Sequence, residues 1–181
     1  MRRLAVIGVL AIVGAVSAAI YFFGGYYSVA GTAPEPGVVA WALAYVREAS
    51  INRHAVDNPP VSLDEPAAVQ AGARAFAARG CPSCHGAPGV GWAKFSEGLN
   101  PDPPDLKELA AKKDASQLFW VVKNGIKMTG MPSFGLVGAP DQELWTIVAF
   151  VKKLPTISEA DFKAWTAPSQ TAPAATAPAQ P

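Results

Sequence analysis

Both cysteines of the chain and one of its two histidines lie within five residues, Cys81-Pro82-Ser83-Cys84-His85. Two thiols three positions apart, followed at once by an imidazole, form the C-x-x-C-H pattern of c-type haem attachment. The spacing has a chemical reason. Each thiol adds across one vinyl group of a porphyrin, and the imidazole of the next residue then lies over the metal and ligates iron. Two other chemistries use similar residues. A thioredoxin-like C-x-x-C needs a βαβ setting, and no strand pattern precedes this one. A zinc site needs a fourth ligand, usually from a second C-x-x-C or a histidine pair, and the chain has no further cysteine. One covalently bound haem c is therefore the expected cofactor, with Cys81 and Cys84 as attachment points and His85 as the proximal iron ligand.

A second cluster follows in KNGIKMTGMPSFG, Lys123 to Gly135, which contains two of the three methionines. A thioether is a soft ligand that favours ferrous iron, so methionine opposite histidine raises a reduction potential. Methionine after a helix ordinarily fills gaps in a core. Here Gly130, Pro132 and Gly135 build a turn rather than a helix face. Met131, held between Gly130 and Pro132 and 46 residues after His85, is the better candidate for the distal ligand, and Met128 is the reserve. Lys123 and Lys127 flank this loop. They read either as guides for an acidic partner or as plain solvated lysines.

These residues need elements to hold them. VSLDEPAAVQAGARAFAARG reads as a helix, with acidic residues and Pro66 at its start and Gly80 at its end. Val69, Gly72, Ala73 and Phe76 share one face. DLKELAAKKD reads as a short second helix. DASQLFWVVKNG carries a capping-box spacing from Asp114 to Gln117 and stops at Asn124-Gly125. PDQELWTIVAFVKKLP is the clearest helix: Leu144, Ile147, Val148, Val151 and Leu154 form its stripe, and Lys152 and Lys153 suit its C-terminal dipole. No stretch sustains a two-residue alternation, so the expected fold class is all-α. Ahead of this domain, Val38, Trp41, Ala42, Tyr45, Val46 and Ala49 recur at helical spacing. Two seats suit the Trp41/Tyr45 stripe, the membrane surface and the following domain. His54, near the end of that helix, reads as a helix C-terminal charge rather than a ligand.

Composition limits the rest. Half of the 181 residues are hydrophobic and 16% are charged, which is apolar for a small soluble protein. The net charge of +1 lacks the basic footprint of a nucleic-acid partner. The excess apolarity sits at the front. Leu4 to Phe23 is a run of 20 residues without a charge, preceded by Arg2 and Arg3. As a helix rising about 1.5 Å per residue it spans roughly 30 Å, a full hydrocarbon core. A cleaved signal peptide with VSA near its cut is the alternative, but the run continues through Phe23, and Tyr26 and Tyr27 resemble an interfacial belt. The paired arginines put the N-terminus inside and the remainder outside.

Gly72 and Phe76, then CPSCHG, then NGIKMTGMPSFG, then ELWTIVAFVKKLP together resemble the bacterial monohaem class I c-type cytochromes. The resemblance covers roughly Asp64 to Pro155. It implies that the first and last helices cross, with Gly72 permitting close approach and Phe76 packing against Leu144, Trp145 or Val148. It implies that Met131 is the distal ligand, and that a proline carbonyl from Pro101, Pro103 or Pro104 accepts the proximal histidine N–H. Trp92 then either reaches a haem propionate or stands as a partly exposed aromatic. The domain plan that follows is an N-terminal anchor over 1–25, a linker and amphipathic helix over 26–61, a cytochrome c domain over 62–157 and an Ala/Pro-rich disordered tail over 158–181. The resemblance implies a single-electron carrier rather than an enzyme. It would be anchored in the inner membrane by one span, with its haem domain in the periplasm, between respiratory complexes or a dehydrogenase and an oxidase as redox partners. The alternatives are a haem c subunit of a larger membrane oxidoreductase and a catalytic or gas-binding haem protein with an open distal site.

Overall fold

A computed structural model of the chain describes residues 1–60 and 62–168. Its elements are α-helices joined by loops and two short 3₁₀ turns, with no strand among the described residues and one isolated bridge, Ala87 to Val90. The all-α expectation holds. The chain divides into two compact units, Met1–Gly37 and a second that begins at Val38.

The first unit is α1, Arg2–Phe23, with a short turn after it. No residue of α1 is buried. Among the described residues it is the one helix long and apolar enough to cross a membrane, a property that anchors and signal sequences share. Tyr21, Phe22 and Tyr27 cluster at its end, with centroids 5.2–6.1 Å apart; Tyr21 meets the other two edge to face, and Phe22 and Tyr27 are tilted. The Tyr27 hydroxyl donates to Glu35.

The second unit is built around two crossing helices, α3 (Pro66–Ala78) and α7 (Asp141–Lys153). Pro66 at the first helical position sets φ for α3, and Gly80 at φ +75° turns the chain out of it. The crossing depends on Gly72. A Cβ there would lie 1.9 Å from the Thr146 carbonyl oxygen and 2.9 Å from the Phe150 Cβ, so only hydrogen fits. In α7 the expected stripe is buried, together with Trp145, Ala149 and Phe150. The helix is covered almost all round because α3, α5 (Leu106–Lys112) and α6 (Ala115–Asn124) pack against it. Phe76 meets the Phe150 ring at 5.2 Å. Trp145 stacks instead on Phe119 of α6, centroids 4.0 Å apart.

The short helices are capped by acidic side chains, the second at the capping box expected from its sequence. The Asp105 carboxylate accepts the Lys107 N–H at 2.7 Å. Asp114 and Gln117 complete a capping box on α6. Lys152 serves another helix as well as its own: its ammonium donates to the Ala110 and Lys113 carbonyls, 2.6 and 3.1 Å away, at the C-terminus of α5.

Two expectations are corrected. The tail expected from residue 158 begins with a helix, α8 (Glu159–Thr166), capped by the Ser158 hydroxyl. Phe162 buries its ring against Phe150 at 5.6 Å, and that burial is why the segment is ordered. The rest of that tail, from 169 onward, lies outside the described residues. The segment before the domain is also part of it. In α2, Gly37–His54, the C-terminal half docks: Ile51 is buried, Glu48 pairs with Lys113, and Asn52 meets Gln117 at 2.5 Å. Trp41 and Tyr45 stack on each other at 6.0 Å and stay exposed, off the domain. His54 accepts its helix-end role, its Nδ1 2.8 Å from the Ser50 carbonyl and its ring stacked on Trp120.

Candidate functional site

The C-x-x-C-H segment forms one turn of helix, α4 (Pro82–His85), entered from Cys81. The Cys84 and His85 amides both donate to the Cys81 carbonyl, at 3.2 and 3.0 Å. Ahead of it, the Cys81 amide donates to Phe76 at 3.2 Å, tying the turn to α3. Behind it, Gly86 at φ +66° redirects the chain, and Ala93 donates to the Ser83 carbonyl at 2.8 Å. The two sulfurs and the imidazole are thereby brought to one wall by residues that are nearly consecutive.

The His85 ring is oriented from outside this turn. Its Nδ1 lies 3.1 Å from the Pro104 carbonyl. A carbonyl only accepts, so Nδ1 carries the proton. Burial holds this imidazole below its ordinary pKa, so the ring is neutral and Nε2 keeps its lone pair for a metal. Of the three candidate prolines, Pro104 makes this bond. Burial also pushes the Cys81 thiol up to about 12. Redox-active C-x-x-C motifs need a lowered thiol pKa, so this environment disfavours the thioredoxin-like reading. The described residues hold no cluster of three or more His, Cys, Asp and Glu side chains suited to an ion.

Facing this wall is the loop after α6. Gly125 at φ +68° ends the helix, and a Cβ there would sit 2.7 Å from Pro132 C and Ser133 N. The loop is sewn to α6 by Phe134 N–H to Val122 O (3.2 Å), Gly135 N–H to Lys123 O (2.9 Å) and Ser133 Oγ to Lys123 O (2.7 Å). Ile126 N–H donates to Met131 O, and the Thr129 hydroxyl accepts from Met131 N at 3.1 Å. Gly130 packs on Leu99, where a Cβ would lie 2.9 Å from its side chain. Met131 is half-buried and lines the cavity. Met128, at φ +60°, is 85% exposed and does not.

Between the walls lies a cavity of about 510 Å³, within the range of about 300–1,000 Å³ usual for cofactor sites. Cys81, Cys84, His85 and Met131 all line it, with Phe76, Val148 and other apolar side chains completing the walls. Two thiols and a metal-ready imidazole on one side, a thioether on the other and largely apolar walls between fit haem c.

The readings left open in the sequence are narrowed by position. Trp92 is 60% exposed and lies outside the cavity lining. Neither Lys123 nor Lys127 lines it. Lys123 is held by Asp141 at 2.7 Å and lies 5.3 Å above the Phe119 ring, while Lys127 is exposed. Sequence reasoning missed Arg47, Glu48 and Ile51 of α2, which line the cavity. The one available signal was Ile51, an apolar residue in a helix end otherwise polar from Ser50 to His54.

Residues 67–151 match the family model described as cytochrome C oxidase, cbb3-type, subunit III. No curated protein and no solved structure matches the chain. The matched span starts inside α3, contains the whole C-x-x-C-H wall and the methionine loop, and ends inside α7, so it is the crossing-helix body around the cavity. These residues form the domain of a class I c-type cytochrome, an electron-transfer domain that carries covalently bound haem c.

Proposed function

We propose that the chain is a membrane-anchored single-electron carrier in which Cys81 and Cys84 hold haem through thioethers, His85 is the proximal ligand and Met131 the distal one. The supporting observation is that one cavity is lined by all four side chains while Met128 points to solvent. Bound haem c supplies a one-electron couple. In this reading His85 and Met131 would both hold the iron, leaving no site on it for a substrate, and the largely apolar walls would limit water around it. Methionine opposite histidine keeps the potential high. The Pro104 carbonyl fixes the imidazole and raises its basicity. In this reading residues 1–25 are the anchor, Arg2 and Arg3 stay on the cytoplasmic side, and the electron-transfer body in the periplasm runs from α2 through α8.

The description of the matched family favours a second reading, that this chain is the haem subunit of a larger membrane oxidoreductase. Purification from mild detergent separates the two: a carrier elutes alone, and a subunit brings its complex with it. The ligand assignment is tested by the far-red sulfur-to-iron absorption band of the oxidised protein. Met131→Ala should abolish it, lower the potential and open the iron to carbon monoxide, while haem stays covalently attached. Met128→Ala should leave all of these unchanged. A band that survives Met131→Ala, or an unmodified protein that binds carbon monoxide readily, overturns the assignment.

A further inference from the structure

Helix α2 lies outside the residues that match the cytochrome family, yet Arg47, Glu48 and Ile51 line the same cavity as Cys81, Cys84 and His85. Ile51 is 4% exposed. Three contacts of different chemistry fix the helix against α5 and α6: the Glu48–Lys113 ion pair, the Asn52–Gln117 hydrogen bond and the stack of His54 on Trp120 at 6.0 Å. This is a built wall rather than a loose extension.

Its charge is the informative part. Haem c carries two carboxylate side chains, and apolar walls cannot accept them without cations or water. Three cationic residues line the cavity: Arg47, Arg79 and Lys113. Arg79 has a carboxylate of its own. Its Nε and Nη2 donate to the two oxygens of Glu143 at 2.7 and 3.2 Å. Arg47 and Lys113, in contrast, share a single carboxylate, Glu48. The Arg47 Nε and Nη2 both reach one oxygen of it, Oε1, at 3.3 and 3.2 Å. A guanidinium has five N–H donors in a planar fork, so the Nη1 side is left to grip another carboxylate. The remaining acidic residue of the lining, Asp102, belongs to the proximal loop that carries Pro104.

We propose that α2 forms the carboxylate-binding wall of the haem site, with the Arg47 guanidinium, backed by Lys113, receiving a haem propionate. Glu48 keeps the two cations together at the cavity in the absence of any other anion. The inference rests on the haem c domain and on the cavity. It does not depend on which methionine is the distal ligand.

The test is the reduction potential of the full-length holoprotein in detergent, titrated against pH. Arg47→Gln leaves Cys81, Cys84, His85 and Met131 untouched, so covalent haem and the far-red band should persist. The potential at neutral pH should fall, because a nearby cation disfavours the oxidised, more positive iron. The pH step in the potential that reports propionate protonation should move upward, since the carboxylate loses the cation that favours its charged form. Glu48 is held below the usual carboxylate range by Lys113, so it stays ionised and does not produce that step. Arg47→Lys should restore most of both effects. Ile51→Ala loosens the packing of α2 without removing a charge, and should move the step clearly less than Arg47→Gln does. If Arg47→Gln changes neither the potential nor the step, or if Ile51→Ala moves the step as far as Arg47→Gln does, α2 is only a packing element and the proposal fails. An error in the distal ligand would show separately, in the far-red band of the unmodified protein.

Discussion

The two walls of the cavity reach their positions by opposite routes. On the proximal side, Cys81, Cys84 and His85 occupy a single turn whose bonds run to the Cys81 carbonyl. Their mutual geometry is local. On the distal side, Met131 belongs to a loop held by the Val122 and Lys123 carbonyls, by Leu99 and by the left-handed Gly125. Its local bonds, to Ile126 N–H and the Thr129 hydroxyl, fix the turn itself but not the place of the turn on the cavity. The difference teaches that the proximal turn keeps its own backbone geometry when its surroundings shift, with only the His85 ring depending on Pro104, whereas any shift around the distal loop reaches Met131 directly.

The largest effect should come from breaking the local wall itself. Cys81→Ala with Cys84→Ala should eliminate covalent haem, read as loss of haem stain on a denaturing gel. No change in the distal loop should do this, because that loop supplies no thiol. A distal change with the same consequence would show that the two walls are not independent.

A matched pair of glycines sharpens the comparison. Gly80 and Gly125 both have positive φ, +75° and +68°. Around Gly80 a Cβ meets nothing within 4 Å, whereas at Gly125 it meets Pro132 and Ser133 backbone at 2.7 Å. Gly80→Ala should therefore cost only the left-handed strain, about 1–2 kcal/mol, and keep the far-red band. Gly125→Ala adds a collision to the same strain. It should cost of order 3 kcal/mol and weaken or abolish the band with every ligand still present. Thermal unfolding and oxidised-state absorption of the two variants decide. Equal behaviour would erase the asymmetry.

A smaller effect concerns acid. Arg79 holds the Glu143 carboxyl below its usual range, joining the end of α3 to α7 beside the proximal turn. A carboxylate with a depressed folded-state pKa binds fewer protons folded than unfolded. Its contribution is complete above the unfolded value, 4.5, and is lost as pH falls through the lower folded one. Glu143→Gln should thus flatten the acid side of the stability profile while leaving the distal band intact. The smallest effect is at Lys123. Its ion pair with Asp141 is partly exposed, so Lys123→Gln should cost under about 1 kcal/mol. With its charge already partnered, it should also alter the salt dependence of electron transfer less than Lys127→Gln does. The reverse order would place docking at Lys123.

Much of the fold was legible because its signals are local. The stripe of α7, the Asp114–Gln117 capping box and the Gly125 stop all lie within a few residues of what they control. Gly72 was legible by resemblance, and the 1.9 Å approach to Thr146 explains it. The site was legible for the same reason: the C-x-x-C-H chemistry is contained in one turn. What stayed open or hidden shares another cause. The sequence left two readings each for Trp92 and Lys123; the exposure of Trp92 fits its partly exposed reading, and Lys123 pairs with Asp141, a partner no local pattern shows. Phe162 was hidden by the Ala/Pro-rich composition that follows it.

From its sequence alone this protein is determined to be an all-α chain with an apolar N-terminal run, one haem attachment motif and a Gly-Met-Pro turn. These depend on residue type at short spacing, which the chain carries wherever it folds. Only the tertiary structure decided that Pro104 among three prolines orients His85, that Met131 faces the cavity while Met128 faces solvent, and that α2 and α8 belong to the body. Each of those rests on partners far apart in the chain, such as His85 with Pro104 or Glu48 with Lys113. They meet only because α3 and α7 cross at a glycine and carry the loops with them, and no periodicity along the sequence encodes which distant side chains that crossing brings together.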